Sequence, residues 1–578
     1  MMEGNSDVTT RSNGSKMPLL VFFRDARHVL KMDALGKEIL KIAFPAALAL
    51  AADPVASLID TAFIGRLGSV QLAAVGVSIA IFNQASRITI YPLVSITTSF
   101  VAEEDTLDKL SAEANKSEKS EKDFVGVGDG RELKPVDPKS ETHRENYVKL
   151  ENDLSGKSSG KTNIRRSESQ CSLLPSGSEH DDIEKGSTGN VENETNPGKD
   201  TSASGAVTTD ANNKKKNKSG KRHIASASTA IVFGTFLGVI QAALLILAAK
   251  PLLSVMGVKS DSPMLPFALK YLTIRSLGAP AVLLSLALQG IFRGFKDTTT
   301  PLYATLVGDV LNIILDPILI FLCHLGVSGA AIAHVVAQYV MFFILLLMLM
   351  KQVDLVPPSL KTLQYRKFCS NGILLMTRVI AVTFCVTLAA SLAARMGPII
   401  MAAFQVCLQV WLMSSLLADG LAVAGQAILA CAFAAKDLNK ATAAACRVLQ
   451  MGFIFGIGLT VVVGVGLWFG APVFTKDPNV LHLIHIAVPF VAGTQTINSL
   501  SFVFDGVNYG ASDFKYAAYS MVIVAACSIS SLFYLSKSNG YIGIWIALTI
   551  YMTLRTLAGV WRMGAGTGPW RFLRQSKK

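Results

Sequence analysis

Residues 40–78 hold an apolar run about as long as the ~20 residues a bilayer-spanning helix needs, yet it carries Asp53, Asp60, Pro45 and Pro54. Such a run crosses a ~30 Å hydrocarbon layer at ~1.5 Å per residue. An aspartate inside it costs roughly 2.5–3.5 kcal/mol even on the lenient insertion scale, so these carboxylates are expected to face a bundle interior or a wet cavity. Asp53, Ser57 and Asp60 stand at i, i+4 and i+7, on one helical face. Pro54 removes a helical hydrogen bond and frees the Leu50 carbonyl beside Asp53.

Further runs of this kind recur along the 578 residues, 51% of which are hydrophobic, and the expected fold is an all-α polytopic membrane protein. Spans are predicted at 39–61, 72–101, 224–249, 265–291, 302–323, 329–350, 370–394, 399–432, 445–470, 480–504, 515–536 and 541–562, about twelve in all. The chain repeats itself. Arg66-Leu67-Gly68 recurs as Arg395-Met396-Gly397, 329 positions on, and Gly290, Gly294 and Asp297 recur as Gly506, Gly510 and Asp513, 216 positions on. Two pseudo-symmetric six-helix lobes are therefore expected, with a substrate site between them near the midplane. Asp60 maps to Ala389, so the acidic site belongs to the first lobe alone.

The two offsets differ because a polar stretch interrupts the first half. The organisation reads as a tail 1–38, helices 1–2 over 39–101, a polar loop 102–223, helices 3–6 over 224–350, a linker 351–369, helices 7–12 over 370–562 and a tail 563–578. Of 41 acidic and 54 basic residues, 24 and 21 lie in 103–222, so the net charge of +13 comes from outside the loop. Lys214–Lys216, Arg293, Lys296, Lys361, Arg366, Lys367, Lys436 and Lys440 fall on even-numbered connections, which places both termini and the loop in the cytoplasm. This charge reads as cytoplasmic loop charge and not as a nucleic-acid surface. The loop has few apolar residues with which to offset chain entropy and is expected to be disordered. Within it Arg166-Ser167-Glu168-Ser169 offers Ser169 to a kinase or is simply a solvated tether.

Several polar residues inside the spans are candidates for chemistry. Asp309, Asn312 and Asp316 lie at i, i+3 and i+7 in the fifth span; with Asp60 and Asp53 they make an oxygen-rich site suited to H⁺ or Na⁺. His334 adds a protonatable group for coupling or is a satisfied core histidine. Arg87, Arg275 and Arg378 stay charged and fork onto carboxylates, so each either pairs with an aspartate or receives an anion. Arg378, in the half with fewer carboxylates, is the preferred anion ligand, with Arg87 from the other lobe. Gln405, Gln409 and Asp419 give the eighth span an unusual polar load and can line the cavity or hold helices together. His482 and His485 are too few for a metal site. No GxxxxGK[ST], HExxH or GxSxG occurs, so neither ATP-driven nor enzymatic chemistry is expected, and no cofactor.

The segments Ser57-Leu58-Ile59-Asp60-Thr61-Ala62-Phe63-Ile64-Gly65-Arg66-Leu67-Gly68, Arg293-Gly294-Phe295-Lys296-Asp297-Thr298 and Asn312-Ile313-Ile314-Leu315-Asp316-Pro317 resemble those of multidrug and toxic compound extrusion transporters. Ser414-Ser415-Leu416-Leu417-Ala418-Asp419-Gly420 is similar to the DinF-like branch, whose cation site maps onto Asp60, Asn312 and Asp316. The long loop, Arg378 and Cys407-Leu408-Gln409-Val410-Trp411-Leu412 resemble the plant citrate exporters of this family. The resemblance implies a plasma-membrane antiporter that exchanges citrate for a cation, serving aluminium tolerance or iron movement. Another organic anion, phenolic or xenobiotic is the alternative substrate, and a lipid-linked precursor flippase the alternative class.

Overall fold

The computed structural model describes residues 33–125, 222–354 and 365–575, except Gly257, Lys259 and Lys476. Residues 1–32, loop residues 126–221 with Ser169, linker residues 355–364, the last three residues and the Asp53 side chain lie outside the described part.

The described chain is helical, as its apolar runs require. The helices are α1 (Ala34–Gly65), α2 (Ser69–Val125), α3 (Ala225–Leu247), α4 (Ala249–Val255), α5 (Leu265–Ser276), α6 (Ala279–Gly294), α7 (Thr299–Pro317), α8 (Val327–Gln352), α9 (Tyr365–Arg395), α10 (Pro398–Ala434), α11 (Leu438–Phe474), α12 (Pro478–Gly493), α13 (Gln495–Gly510), α14 (Phe514–Gly564) and the short α15 (Phe572–Gln575). Nine are long and apolar enough to cross a bilayer, and eleven spans result if the bent pairs α5–α6 and α12–α13 count as one each. The 51 residues of α14 far exceed the ~20 that a bilayer accommodates. It breaks at Gly540 (φ 58°, ψ −132°), and the two pieces bring the spans to the expected twelve.

The internal repeat is visible in the backbone. Gly68 and Gly397 close the first turn of each half with φ of 138° and 125°. Lys296 and Ser512 carry φ of 62° and 54° at matching turns, where Asp297 N donates to Phe292 O and Asp513 N to Asn508 O, both at 2.9 Å. Gly326 and Gly540 each take φ 58° before the last span of their half. Even the broken spans correspond: α5–α6 and α12–α13 both bend by 44°, around Gly278 and Thr494. Spans 265–291 and 480–504, expected to be continuous, are therefore broken. Pro280 just inside α6 cannot donate the hydrogen bond that would carry α5 straight on.

Each half has its own core. In the first, Ile81 and Phe82 of α2 pack with Leu245 of α3 and Leu272 of α5; in the second, Phe404 and Trp411 of α10 pack with Ile484 of α12 and Trp545 of α14. Contacts between the halves gather at one end. There Ile39, Ile42 and Ala46 of α1 join Leu421, Ala424 and Ile428 of α10, the Gln426 amide donates to Ser95 O at 2.7 Å, and the Ser99 hydroxyl donates to Tyr509 O at 2.9 Å. Phe100 meets Phe368 edge-on at 5.1 Å at the same end.

The polar loop, expected from residue 102, starts later, because α2 continues to Val125. Residues 102–125 are dominated by Ala, Leu, Glu and Lys, strong helix formers, and an Asp105–Lys109 pair at 2.6 Å sits at i, i+4. The extension also braces the return of the chain. Glu104 accepts from the backbone N–H groups of Ala225 (2.7 Å) and Ser226 (2.9 Å), and from the Ser226 hydroxyl, filling the otherwise unpaired donors at the start of α3. Arg222–His223 then pairs in parallel with Val353–Asp354 at the mouth of the linker. Glu104→Ala is expected to cost about 1–2 kcal/mol, the range of a lost helix cap, read as a lower melting temperature of detergent-solubilised protein with normal membrane insertion.

Candidate functional site

Two separate charged clusters lie among the described helices. Asp60 and Asp316 stand near the ends of α1 and α7 that face away from the inter-lobe contacts. The Asn312 amide donates to Asp60 Oδ1 at 2.7 Å, and Asp316 sits against the same aspartate. The i, i+4 spacing of Asn312 and Asp316 on α7 points both at α1. Asp316 is 1% exposed, and among the described residues neither of its oxygens has a hydrogen-bond donor. A buried carboxylate left this way calls for a proton or a cation. The structure brings Asp60, Asn312 and Asp316 together.

Two further residues border this cluster. Tyr271 of α5, buried, adjoins both aspartates; it escaped the sequence reading because a tyrosine in an apolar span looks like core. Arg275, one helical turn on, neighbours Asp316, Tyr271 and His334 and stacks over the Phe82 ring at 4.9 Å. His334 lies 3.4 Å from the Gln338 amide. Its polar neighbours are thus Gln338 and Arg275.

The second cluster corrects an expectation. Arg378, 3% exposed, was preferred as the anion ligand because its half holds fewer carboxylates, but its guanidinium lies 2.5 Å from Asp505 of α13. Arg555 of α14 holds the same carboxylate. Arg378 also lies over the Tyr509 ring (5.2 Å) and Arg555 over Phe502 (4.6 Å). Asp505 was missed because the tenth span was expected to stop at 504, which left this residue in a loop; α13 runs to Gly510 and carries it inside. Arg555 stood within a predicted apolar span, and the rule that singled out Arg378 applies to it equally.

The remaining candidates lie around this cluster. Asp419 of α10 neighbours Arg555, Asp505 and, from the other lobe, Arg293. Arg293, read as loop charge, is 8% exposed and its guanidinium reaches Gln289 at 3.4 Å. Tyr91 of α2 is 43% exposed and has Arg87, Arg293, Asp419 and Arg555 as charged neighbours. Arg87, Gln405 and Gln409 are exposed, on the sides of α2 and α10 turned away from the lobe cores, so none serves as interhelical glue within a lobe. Arg293 of the first lobe thus neighbours Asp419 of the second, where Arg378 and Arg555 share Asp505.

A family model described as MatE matches residues 203–318 and 375–533. The chain is 58% identical to Protein DETOXIFICATION 43 of Arabidopsis thaliana over 99% of this chain and 98% of that protein. It is 56% identical to Protein DETOXIFICATION 42 of the same plant, over 96% and 97%. DNA damage-inducible protein F of Escherichia coli (strain K12) is 30% identical over 54% of this chain and 70% of its own length. Among solved structures, a MATE in the bent conformation superposes with a TM-score of 0.68 at 15% identity, covering 96% of this chain and 99% of its own. The Vibrio cholerae MATE transporter VcmN in the bent form gives 0.66 at 15%, over 94% and 98%. These two show a shared fold.

Proposed function

This chain belongs to the multidrug and toxic compound extrusion (MATE) family of membrane efflux transporters, and from that premise we propose that it exports citrate in exchange for a cation. The observation that carries the substrate class is the excess of arginine at the lobe boundary: Arg293, Arg378 and Arg555 against Asp419 and Asp505. Moving a multiply charged anion to the midplane without compensating cations is prohibitive, and guanidinium groups offer the bidentate fork that carboxylates fit. An organic cation would meet net repulsion there.

The mechanism follows from the separation of the two clusters. Asp60, Asn312 and Asp316 hold the coupling ion, H⁺ or Na⁺, while Arg378 and Arg87 take the anion from different lobes. The lobes are joined through Ser99, Gln426 and Tyr509 at the end that the positive-inside pattern assigns to the cytoplasm. Breaking those contacts and rocking the lobes opens the arginines to cytosolic citrate, and the cation gradient drives the return. We place the transporter in the plasma membrane, with its termini and loop in the cytoplasm and a role in aluminium tolerance or iron translocation in a plant.

Efflux of labelled citrate from injected oocytes tests the substrate. Arg378→Ala is expected to weaken apparent citrate affinity by roughly ten- to a hundredfold, the loss of a charged hydrogen bond worth about 1.5–3 kcal/mol. Arg378→Lys, which keeps the charge and loses the fork, weakens it less. No citrate efflux from surface-expressed wild type, with efflux of a phenolic or a cationic drug instead, refutes the reading.

A further inference from the structure

The charged cluster of the second lobe holds a carboxylate of the protein's own. Asp505 lies between Arg378 at 2.5 Å and Arg555, in a small pocket also lined by Asn508 and Ser520. The surrounding donors are not used up. Among the described residues the Nε of Arg555, 9% exposed, has no acceptor, and the hydroxyl of Tyr551, 1% exposed with Arg555, Arg378 and Asp505 as charged neighbours, has no partner. Both donors border the ion pair, and a buried donor gains when an acceptor reaches it in a low-dielectric interior. The surplus matches a second carboxylate's oxygens.

We propose that Asp505 is a tethered stand-in for the substrate, and that one carboxylate of the exported anion displaces it from Arg378 and Arg555 and takes up the Arg555 Nε and Tyr551 donors. The exchange forms and breaks only ion pairs and hydrogen bonds. It rests on the reading that the cargo is an organic anion, and it assigns Asp505, Arg555 and Tyr551 to the binding site. A tethered competitor acts at an effective concentration in the millimolar range or above. It therefore weakens net affinity, keeps the arginines compensated when no substrate is bound, and helps push the anion out on the release side.

Removing the competitor reverses the sign expected of a broken ion pair. In purified full-length protein, Asp505→Asn is expected to bind labelled citrate at least about tenfold more tightly than wild type, and to release it more slowly in proteoliposome efflux. Arg555→Lys, which keeps Asp505 paired, is expected to weaken citrate, tricarballylate and succinate alike; it serves if Asp505→Asn does not yield folded protein. Unchanged or weaker citrate binding by folded Asp505→Asn overturns the proposal, as does unchanged binding of all three probes by Arg555→Lys. These failures leave citrate efflux by the wild type intact. Conversely, tricarballylate or succinate bound and sharpened by Asp505→Asn, with no citrate transported, overturns the citrate reading and leaves the exchange standing.

Discussion

Replacing Asp316 with Asn abolishes gradient-driven efflux while the protein still folds and reaches the membrane. Asp316 is 1% exposed and its oxygens have no donor among the described residues, so neutralising it removes an uncompensated buried charge instead of creating one, and stability is held or raised. Function responds in the opposite direction. A monovalent cation about 4 Å from a carboxylate gains on the order of 4 kcal/mol at an effective dielectric of 20, and losing that term lowers ion affinity by roughly a thousandfold. Asp60→Asn is expected to lose coupling too, while its amide oxygen can still accept from Asn312 as Asp60 Oδ1 does. Efflux from proteoliposomes under an imposed H⁺ or Na⁺ gradient, alongside melting temperature, separates the two effects. Normal gradient-dependent efflux from Asp316→Asn removes this residue from the coupling site.

Substituting Gly506 is expected to be the most damaging single change to the fold. A Cβ at this position would land on the Ala422 carbonyl group of α10, on backbone and not on a side chain that can swing away. Both helices are deeply buried there, Phe504 and Val507 on one and Val423 and Ala424 on the other, so neither can retreat without opening the core. Overpacking commonly costs about 1–3 kcal/mol; Gly506→Ala should reach or pass the upper end and Gly506→Val should give no monodisperse protein. Its repeat mate Gly290 makes the comparison quantitative: the same Cβ would stand 3.1 Å from Val94 O and 3.2 Å from the Thr97 side chain, a squeeze that small shifts relieve. Gly290→Ala should therefore melt measurably higher than Gly506→Ala. Equal melting temperatures for the two variants and the wild type would show that the lobe contact is loose.

The candidate cation site was legible because its signals are local. Asn312 and Asp316 are one turn apart on a single helix, and a charge within an apolar run announces itself whatever surrounds it. The anion cluster was half legible. Arg378 was found as a buried cation, but its partner lies on α13, more than a hundred positions away, and a one-residue misplacement of a span end hid it. Helix ends are where periodicity fades and capping decides, so Asp505 fell just outside the expected span. Tyr271 and Tyr551 carry no such flag; a buried tyrosine is ordinary core until its hydroxyl is seen beside charge.

By itself, then, the sequence determined that this is a helical membrane protein with two repeated halves, twelve spans and carboxylates inside the first lobe. Bilayer thickness sets span length, and helical geometry sets which residues share a face; both act within one segment. Only the tertiary structure decided which charges meet: that Asp505 holds Arg378 and Arg555, and that Asp316 sits against Asp60 with no donor among the described residues. Those pairings depend on helix packing and on the 44° breaks in the fourth and tenth spans, which set the depth at which each side chain stands. Ion pairs form over a few ångströms of space, and no pattern along the chain measures that distance.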